Sequence, residues 1–276
     1  AYDECLLMQL GIAILRARRE VRPAYALPCT QQIDQRIRAR FPFTLTPAQD
    51  QALAEIVRDL ASPMPMNRLL QGDVGSGKTV VALYAALLAV ANRKQAAIMA
   101  PTEILASQHF RKIEQYLAGS RVKVALLSGQ TPAKKRQELL AALATGEVQI
   151  VVGTHALLGD DVRFAGLALV VIDEQHKFGV LQRTGIRGKG YAPHYLVMTA
   201  TPIPRTLAMT VFGDLETCTI TAPPPGRGRT VTKVVEPAGL RAAMGDIRRR
   251  LAAGEQAYFI YPLVNPSPEL ELANAT

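Results

Sequence analysis

Eight consecutive residues, Gly72-Asp-Val-Gly-Ser-Gly-Lys-Thr79, form a pattern with a definite chemistry. They match GxxxxGK followed by Ser or Thr, in which the glycines let the backbone N–H groups turn towards an anion. A helix predicted from Thr79 adds the positive end of its dipole at the same point. Lys78 can then reach the β- and γ-phosphates of a nucleotide, and the Thr79 hydroxyl can bind Mg²⁺. The predicted phosphate-binding residues are Gly72, Asp73, Val74, Gly75, Ser76, Gly77, Lys78 and Thr79.

Two adjacent carboxylates follow the apolar run of residues 167–172. Asp173 is placed to hold Mg²⁺ through its waters, and Glu174 to orient and deprotonate an attacking water. An apolar run that ends in Asp-Glu usually marks only the end of a strand. Together with the phosphate loop, it predicts an ATP-hydrolysing site with Lys78, Asp173 and Glu174 as catalytic residues.

Short apolar runs alternate with amphipathic stretches from Phe43 onwards, and these elements must position the site. Continuously apolar strands separated by helices indicate a parallel sheet covered on both faces. We therefore expect the phosphate loop, Asp173 and Thr199 at the carboxyl ends of adjacent strands. The predicted strands are 68–71, 96–100, 122–127, 148–152, 167–172, 195–198 and 216–221.

Proline and glycine residues suggest the domain boundaries. Apolar residues at helical spacing predict a helical connector over residues 1–40, and the alternating strands and helices that follow predict the ATP-binding domain over residues 41–222. The Pro- and Gly-rich segment 223–230 is predicted to be a linker. Beyond it, a strand at 231–235, a basic helix at 240–253 and a strand at 257–264 predict the start of a second, incomplete α/β domain over 231–276.

The composition favours a polyanionic partner and offers no metal site. Lys and Arg number 32 against 23 Asp and Glu, a net charge of +9 that suits nucleic acid. Tryptophan is absent, so a grip on backbone phosphates is expected rather than base stacking. The longest apolar run, 80–91, is too short to span a bilayer. The three cysteines and four histidines lack ligand spacing, which argues against zinc and fits a reducing cytoplasm.

Several further motifs carry a family resemblance. Asp173-Glu-Gln-His176 resembles the DEAD/DEAH box of superfamily 2 helicases, and Phe43-Thr-Leu-Thr-Pro-Ala-Gln49 resembles their adenine-reading motif. Residues 100–109, 153–155 and 199–205 look like motifs Ia, Ib and III. Within the superfamily, residues 72–82 and 173–180 are most similar to the RecG helicases. The transcription-repair coupling factors are an alternative, but they normally carry a bulky residue at position 76 and an acidic one at position 80.

The resemblance implies a RecA-like P-loop NTPase fold, preceded by a helical segment, with ATP and Mg²⁺ as cofactors and DNA as partner. DNA would be held by its backbone, without sequence preference, by a protein that is expected to be monomeric. For Gln49 the alternative is an ordinary exposed helix residue, and for Thr102 and Thr154 a plain helix cap. The implied adenine-site residues are Phe43, Thr46 and Gln49; the DNA contacts are Pro101, Thr102, Gly153 and Thr154; and the coupling residues are Gln175, His176, Thr199 and Thr201.

The leading hypothesis is therefore an ATP-dependent DNA helicase or translocase that acts on stalled forks and recombination junctions in DNA repair. The chain is expected to be a fragment, because the amino-terminal wedge domain of RecG and the later motifs of a second motor domain are not found in it. The alternatives are a nucleotide-binding module without turnover of its own, and the motor of a coupling factor. A small-molecule kinase is a weak third, because it does not explain Asp173-Glu-Gln-His176.

Overall fold

The computed structural model describes residues 23–173, 191–201, 215–221, 231–236 and 239–260, together with Leu6 and Leu10. The chain divides into two compact units, residues 1–227 and 228–276, and each is described by itself. The predicted linker 223–230 lies outside the described residues. No helix within the described part of the chain combines the length and apolar character that crossing a bilayer requires.

Seven strands of the first unit form one parallel sheet in the order β3-β4-β2-β5-β6-β1-β7. The parallel α/β fold predicted from the apolar runs is confirmed. Two strands begin two residues later than predicted, at Val124 and Ile150. The strands are β1 (Asn67–Gly72), β2 (Gln95–Met99), β3 (Val124–Leu127), β4 (Ile150–Gly153), β5 (Leu167–Asp173), β6 (His194–Thr199) and β7 (Glu216–Ile220).

Helices connect these strands, and their ends follow from local sequence. The second helix starts at a capping box formed by Thr46 and Gln49, with proline in its first turn. The third is apolar all round and is buried from Val80 to Ala89, as expected for a helix inside the core. The helices of this unit are α1 (Gln31–Arg38), α2 (Pro47–Leu60), α3 (Lys78–Ala91), α4 (Glu103–Tyr116) and α5 (Ala133–Thr145), and a 3₁₀ turn spans His155–Leu158.

Hydrophobic clusters cover both faces of the sheet. Val171 of β5 packs in a cluster with Leu83 of α3, whereas its neighbour Val170 packs in another cluster with Leu143 of α5. Successive strand residues point to opposite faces, so this alternation places helices on each side. The candidate site lies at the remaining edge of the sheet, where the parallel strands have their carboxyl ends.

Residues 23–40, which precede α2, form polar contacts with the helices of the first unit. Arg38 of α1 forms an ion pair with Asp50 of α2, at 2.7 Å between Nη1 and Oδ1. Tyr84 of α3 donates to the Asp34 carboxylate of α1, at 2.5 Å. Leu27 is fully buried and its N–H donates to the Leu60 carbonyl. This segment is therefore part of the same compact unit.

The second unit contains one described helix, α6 (Leu240–Ala252), where a basic helix was predicted. The predicted strand 231–235 is wrong, and so is the described portion, 257–260, of the predicted strand 257–264: neither forms a strand. A strand requires hydrogen bonds to a neighbouring strand. Val234 and Ile260 are almost fully exposed, so the β-propensity of these residues alone does not produce a strand.

Candidate functional site

The phosphate loop connects the end of β1 at Gly72 to the start of α3 at Lys78. Gly75 and Gly77 have φ values of +78° and +88°, a left-handed conformation that favours glycine. A Cβ at Gly77 would also overlap the amide nitrogen of Gln49. The two glycines therefore determine the path of the loop.

The groups in this loop fit a nucleotide phosphate. Lys78 Nζ donates to the carbonyl oxygens of Gly72 at 2.6 Å and Asp73 at 2.9 Å, which holds its charge at the loop. The Ser76 hydroxyl is buried and, within the described part of the chain, lacks a hydrogen-bond partner. A cation, backbone N–H groups at a helix start and an orphaned hydroxyl are the donors that a phosphate requires.

Gln49 lies against the phosphate loop. Its Nε2 donates to the Ser76 carbonyl at 2.9 Å, and its Oε1 accepts from the Thr46 N–H at 2.9 Å. Both polar atoms of its side chain therefore form hydrogen bonds within the protein, and only 3% of the residue is exposed. Gln49 is thus not an ordinary exposed helix residue, which was the alternative. Phe43, 45% exposed, packs against Phe41 and Tyr116 and presents a partly open aromatic ring. Adenine recognition by this group stays a prediction.

Asp173 lies at the same edge as the loop. It ends β5 opposite Met198 of β6, and Thr199 ends β6 opposite Gln71 of β1, one residue before Gly72. The predicted meeting of phosphate loop, Asp173 and Thr199 at adjacent strand ends is therefore found. Glu174, Gln175 and His176 lie outside the described residues.

Asp173 has a partner that the sequence did not reveal. Its Oδ2 lies 2.7 Å from His109 Nε2, and the two side chains are 14% and 12% exposed. In the sequence, His109 ends the stretch that resembles motif Ia, and its spacing to the other histidines argues against a metal site. The available signal was its helical spacing, three residues after Ala106 and four before Ile113, both of which are buried.

Thr201, two residues after the end of β6, contacts the sheet edge. Thr199 Oγ1 lies 2.8 Å from Thr201 Oγ1 and accepts from the Thr201 N–H at 3.2 Å. The Gln71 amide donates to the Thr201 carbonyl at 3.4 Å, next to the phosphate loop. Both threonines thus contact Gln71 at the end of β1, and their coupling role stays a prediction.

The predicted DNA-contacting residues lie at or just after the ends of two adjacent strands, β2 and β4, which pair at Met99 and Gly153. Pro101 and Thr102 precede α4, and the exposed Thr102 caps it by accepting from the Leu105 N–H at 3.3 Å. Thr154 precedes the 3₁₀ turn and makes no capping bond with its side chain. A Cβ at Gly153 would overlap the Leu127 carbonyl, which explains the glycine. Contact with DNA stays a prediction.

A family model for the DEAD/DEAH box helicases matches residues 46–210. The chain belongs to this family. It is 46% identical to the ATP-dependent DNA helicase RecG of Synechocystis over 99% of its own length, and 46% identical to RecG of Bacillus subtilis, also over 99%. A solved structure of RecG bound to a three-way DNA junction matches 96% of the chain with 40% identity and a TM-score of 0.85. The resemblance to RecG is confirmed.

This chain covers only part of each of these relatives. It spans 33% of the Synechocystis protein and 40% of the Bacillus subtilis protein. It spans 36% of the RecG chain in the junction structure. The similarity therefore concerns one region of a longer helicase.

Proposed function

We propose that this chain is the ATP-binding part of a RecG-like helicase or translocase that acts on branched DNA. The observation that carries the proposal is the meeting of Lys78, Asp173 and Thr199 at one sheet edge, in a chain that matches RecG over almost its whole length. The activity supports repair and recombination by remodelling stalled forks and junctions. Action on DNA and the free Cys29 and Cys218 thiols fit a reducing cytoplasm.

ATP with Mg²⁺ is the proposed cofactor, and the chain supplies most of the groups that hold it. Lys78 would bind the β- and γ-phosphates, and Thr79 and Asp173 would hold the metal, which would neutralise charge on the phosphates. Glu174 would act as the base that accepts a proton from the attacking water. Phe43, Thr46 and Gln49 would line the adenine site, with the Gln49 amide held beside the phosphate loop.

DNA is the proposed partner, gripped through its phosphates. Thr102 and Thr154 follow adjacent strands, and Pro101 and Gly153 direct the chain into the turns that carry them. N–H groups at helix starts bind phosphates without reading base sequence. The excess of basic residues adds a long-range attraction to DNA. We propose that the protein works as a monomer.

The phosphate loop favours RecG over the coupling factor. Ser76 is only 1% exposed, and a Cβ at Gly72 would meet its hydroxyl at 2.6 Å. A bulky residue at position 76, which coupling factors normally carry, would require the loop to move. The small serine fits the RecG-type loop.

ATP turnover tests the proposal. We expect phosphate release by this chain to be slow, because the family closes two motor domains over one ATP and the second contributes arginines. Such an arginine is worth about 10³- to 10⁵-fold in other phosphoryl-transfer enzymes. A version extended through a complete second motor domain is expected to turn over faster and to be stimulated by forked DNA.

Lys78→Ala in both versions is the matched control, and it is expected to weaken ATP binding strongly. Failure of the extended version to release phosphate with forked DNA would overturn the helicase proposal. Equal DNA-stimulated rates for the two versions would overturn the claim that this chain is only part of the motor.

A further inference from the structure

Helix α4 connects two regions to which the proposed function gives different tasks. Its first turn is capped by Thr102, a proposed DNA contact. About two turns later it carries His109, whose Nε2 lies 2.7 Å from Oδ2 of Asp173, the proposed magnesium ligand. One helix and one hydrogen bond thus span the distance between the two sites.

The hydrogen-bonding chemistry of His109 and Asp173 determines what this contact can do. A carboxylate accepts hydrogen bonds, so the His109 Nε2–H group donates and Asp173 Oδ2 accepts in this contact. Both side chains are largely shielded, which reduces competition from water. A hydrogen bond to one oxygen of a metal-binding carboxylate sets its orientation and leaves the other oxygen for the metal's water.

We propose that His109 is a positioning residue that holds Asp173 for magnesium binding and transmits DNA contact at the start of α4 to the ATP site. The inference rests on the proposed function. Thr102 caps the 14-residue helix that carries His109, so a phosphate bound at Thr102 stabilises the helix position in which His109 contacts Asp173. Nucleotide and DNA affinities then become linked, and such linkage is reciprocal.

The packing of α4 distinguishes a role of His109 in positioning Asp173 from a role in holding the helix in place. Ala106 and Ile113 on the same helix are buried in the core and anchor α4 to the sheet. The helix therefore does not depend on His109 for its place. His109→Leu keeps a side chain of similar size while removing the donor, and His109→Gln keeps an N–H donor.

Magnesium-dependent binding of a fluorescent ATP analogue is the first test, with Gln115→Leu, an exposed position on α4, as control. In His109→Leu we expect the magnesium concentration required for half-maximal tight binding to rise by about 10- to 100-fold. Affinity for the analogue without magnesium should be unchanged, and His109→Gln should recover much of the loss. A magnesium requirement in His109→Leu equal to that of the control would overturn the positioning role.

The second test measures affinity for forked DNA with and without a magnesium-bound, non-hydrolysable ATP analogue. In the unmodified chain we expect a change of about 5- to 150-fold, as is typical of coupled sites. In His109→Leu the change should shrink towards one. An unmodified chain that binds neither ligand would contradict the proposed function itself. Suppose instead that the unmodified chain binds both ligands. If it then shows no coupling between them, or if His109→Leu shows coupling of the same size, only the link through His109 is contradicted.

Discussion

The side-chain amide of Gln49 donates to the carbonyl oxygen of Ser76 at 2.9 Å. The residue predicted to read adenine thus also supports the loop predicted to hold the phosphates. Its oxygen accepts from the Thr46 N–H and closes the capping box of α2. One buried amide therefore joins the start of α2 to the phosphate loop.

Replacing Gln49 should affect both stability and nucleotide binding. Gln49→Ala removes two buried hydrogen bonds, each worth about 0.5–1.5 kcal/mol, so we expect a loss of about 1–3 kcal/mol in the free energy of unfolding. ATP should also bind more weakly and lose its preference over GTP. Urea unfolding and competition between the two nucleotides measure these effects, with the exposed Gln51→Ala as control. Unchanged nucleotide preference would contradict adenine recognition by Gln49.

Glu174 is predicted to be the base that activates water. Glu174→Gln keeps the size of the side chain but removes its basicity, so ATP should bind normally while turnover falls by about 10²- to 10⁴-fold. The measurement compares nucleotide affinity and single-turnover phosphate release in a version extended through a complete second motor domain. Turnover equal to that of the unmodified protein would show that another group acts as the base.

His194 should make stability depend on pH. It is fully buried, its Nδ1 accepts from the Met66 N–H at 3.0 Å, and its Nε2 donates to the Tyr25 carbonyl at 2.8 Å. Burial lowers the pKa of His194, and the Tyr25 carbonyl opposes this only in part. Below about pH 6.5 the unfolded chain takes up a proton that the folded chain resists. The free energy of unfolding should then fall by up to about 1.4 kcal/mol for each pH unit until the folded pKa is reached.

His194→Gln isolates this contribution because glutamine offers an acceptor and a donor but does not titrate. Urea unfolding of both proteins at pH 7.5 and pH 5.5 gives the comparison. We expect the loss of stability on acidification to be larger in the unmodified protein. Equal losses in both would show that the folded protein accommodates the charged imidazole.

DNA binding should depend on salt and not on sequence. Phosphate contacts release counterions, so affinity should fall steeply and linearly on a log–log plot against salt concentration. Duplexes of unrelated sequence should bind alike, because the proposed contacts at Thr102 and Thr154 would involve only the DNA backbone. Fluorescence anisotropy at several salt concentrations measures the slope. Affinity that does not change with salt would contradict a phosphate grip.

The amino-acid sequence determined the parallel fold and the composition of the phosphate site. Both depend on local patterns: apolar runs make strands, and a glycine-rich loop before a helix presents N–H groups to an anion. The same reasoning was wrong for the predicted strand 231–235 and for the described portion, 257–260, of the predicted strand 257–264, because a strand forms only beside a partner. Local pattern does not supply that partner.

The tertiary structure alone decided which distant residues meet. His109 and Asp173 lie 64 positions apart, yet they share a hydrogen bond at the sheet edge. Gln49 was read as a nucleotide contact, and only the packing of α2 beside the loop placed its amide on the Ser76 carbonyl. These contacts depend on the order of the strands and the seating of the helices between them. Both arise from burial of apolar surface across the whole unit, which no single segment encodes.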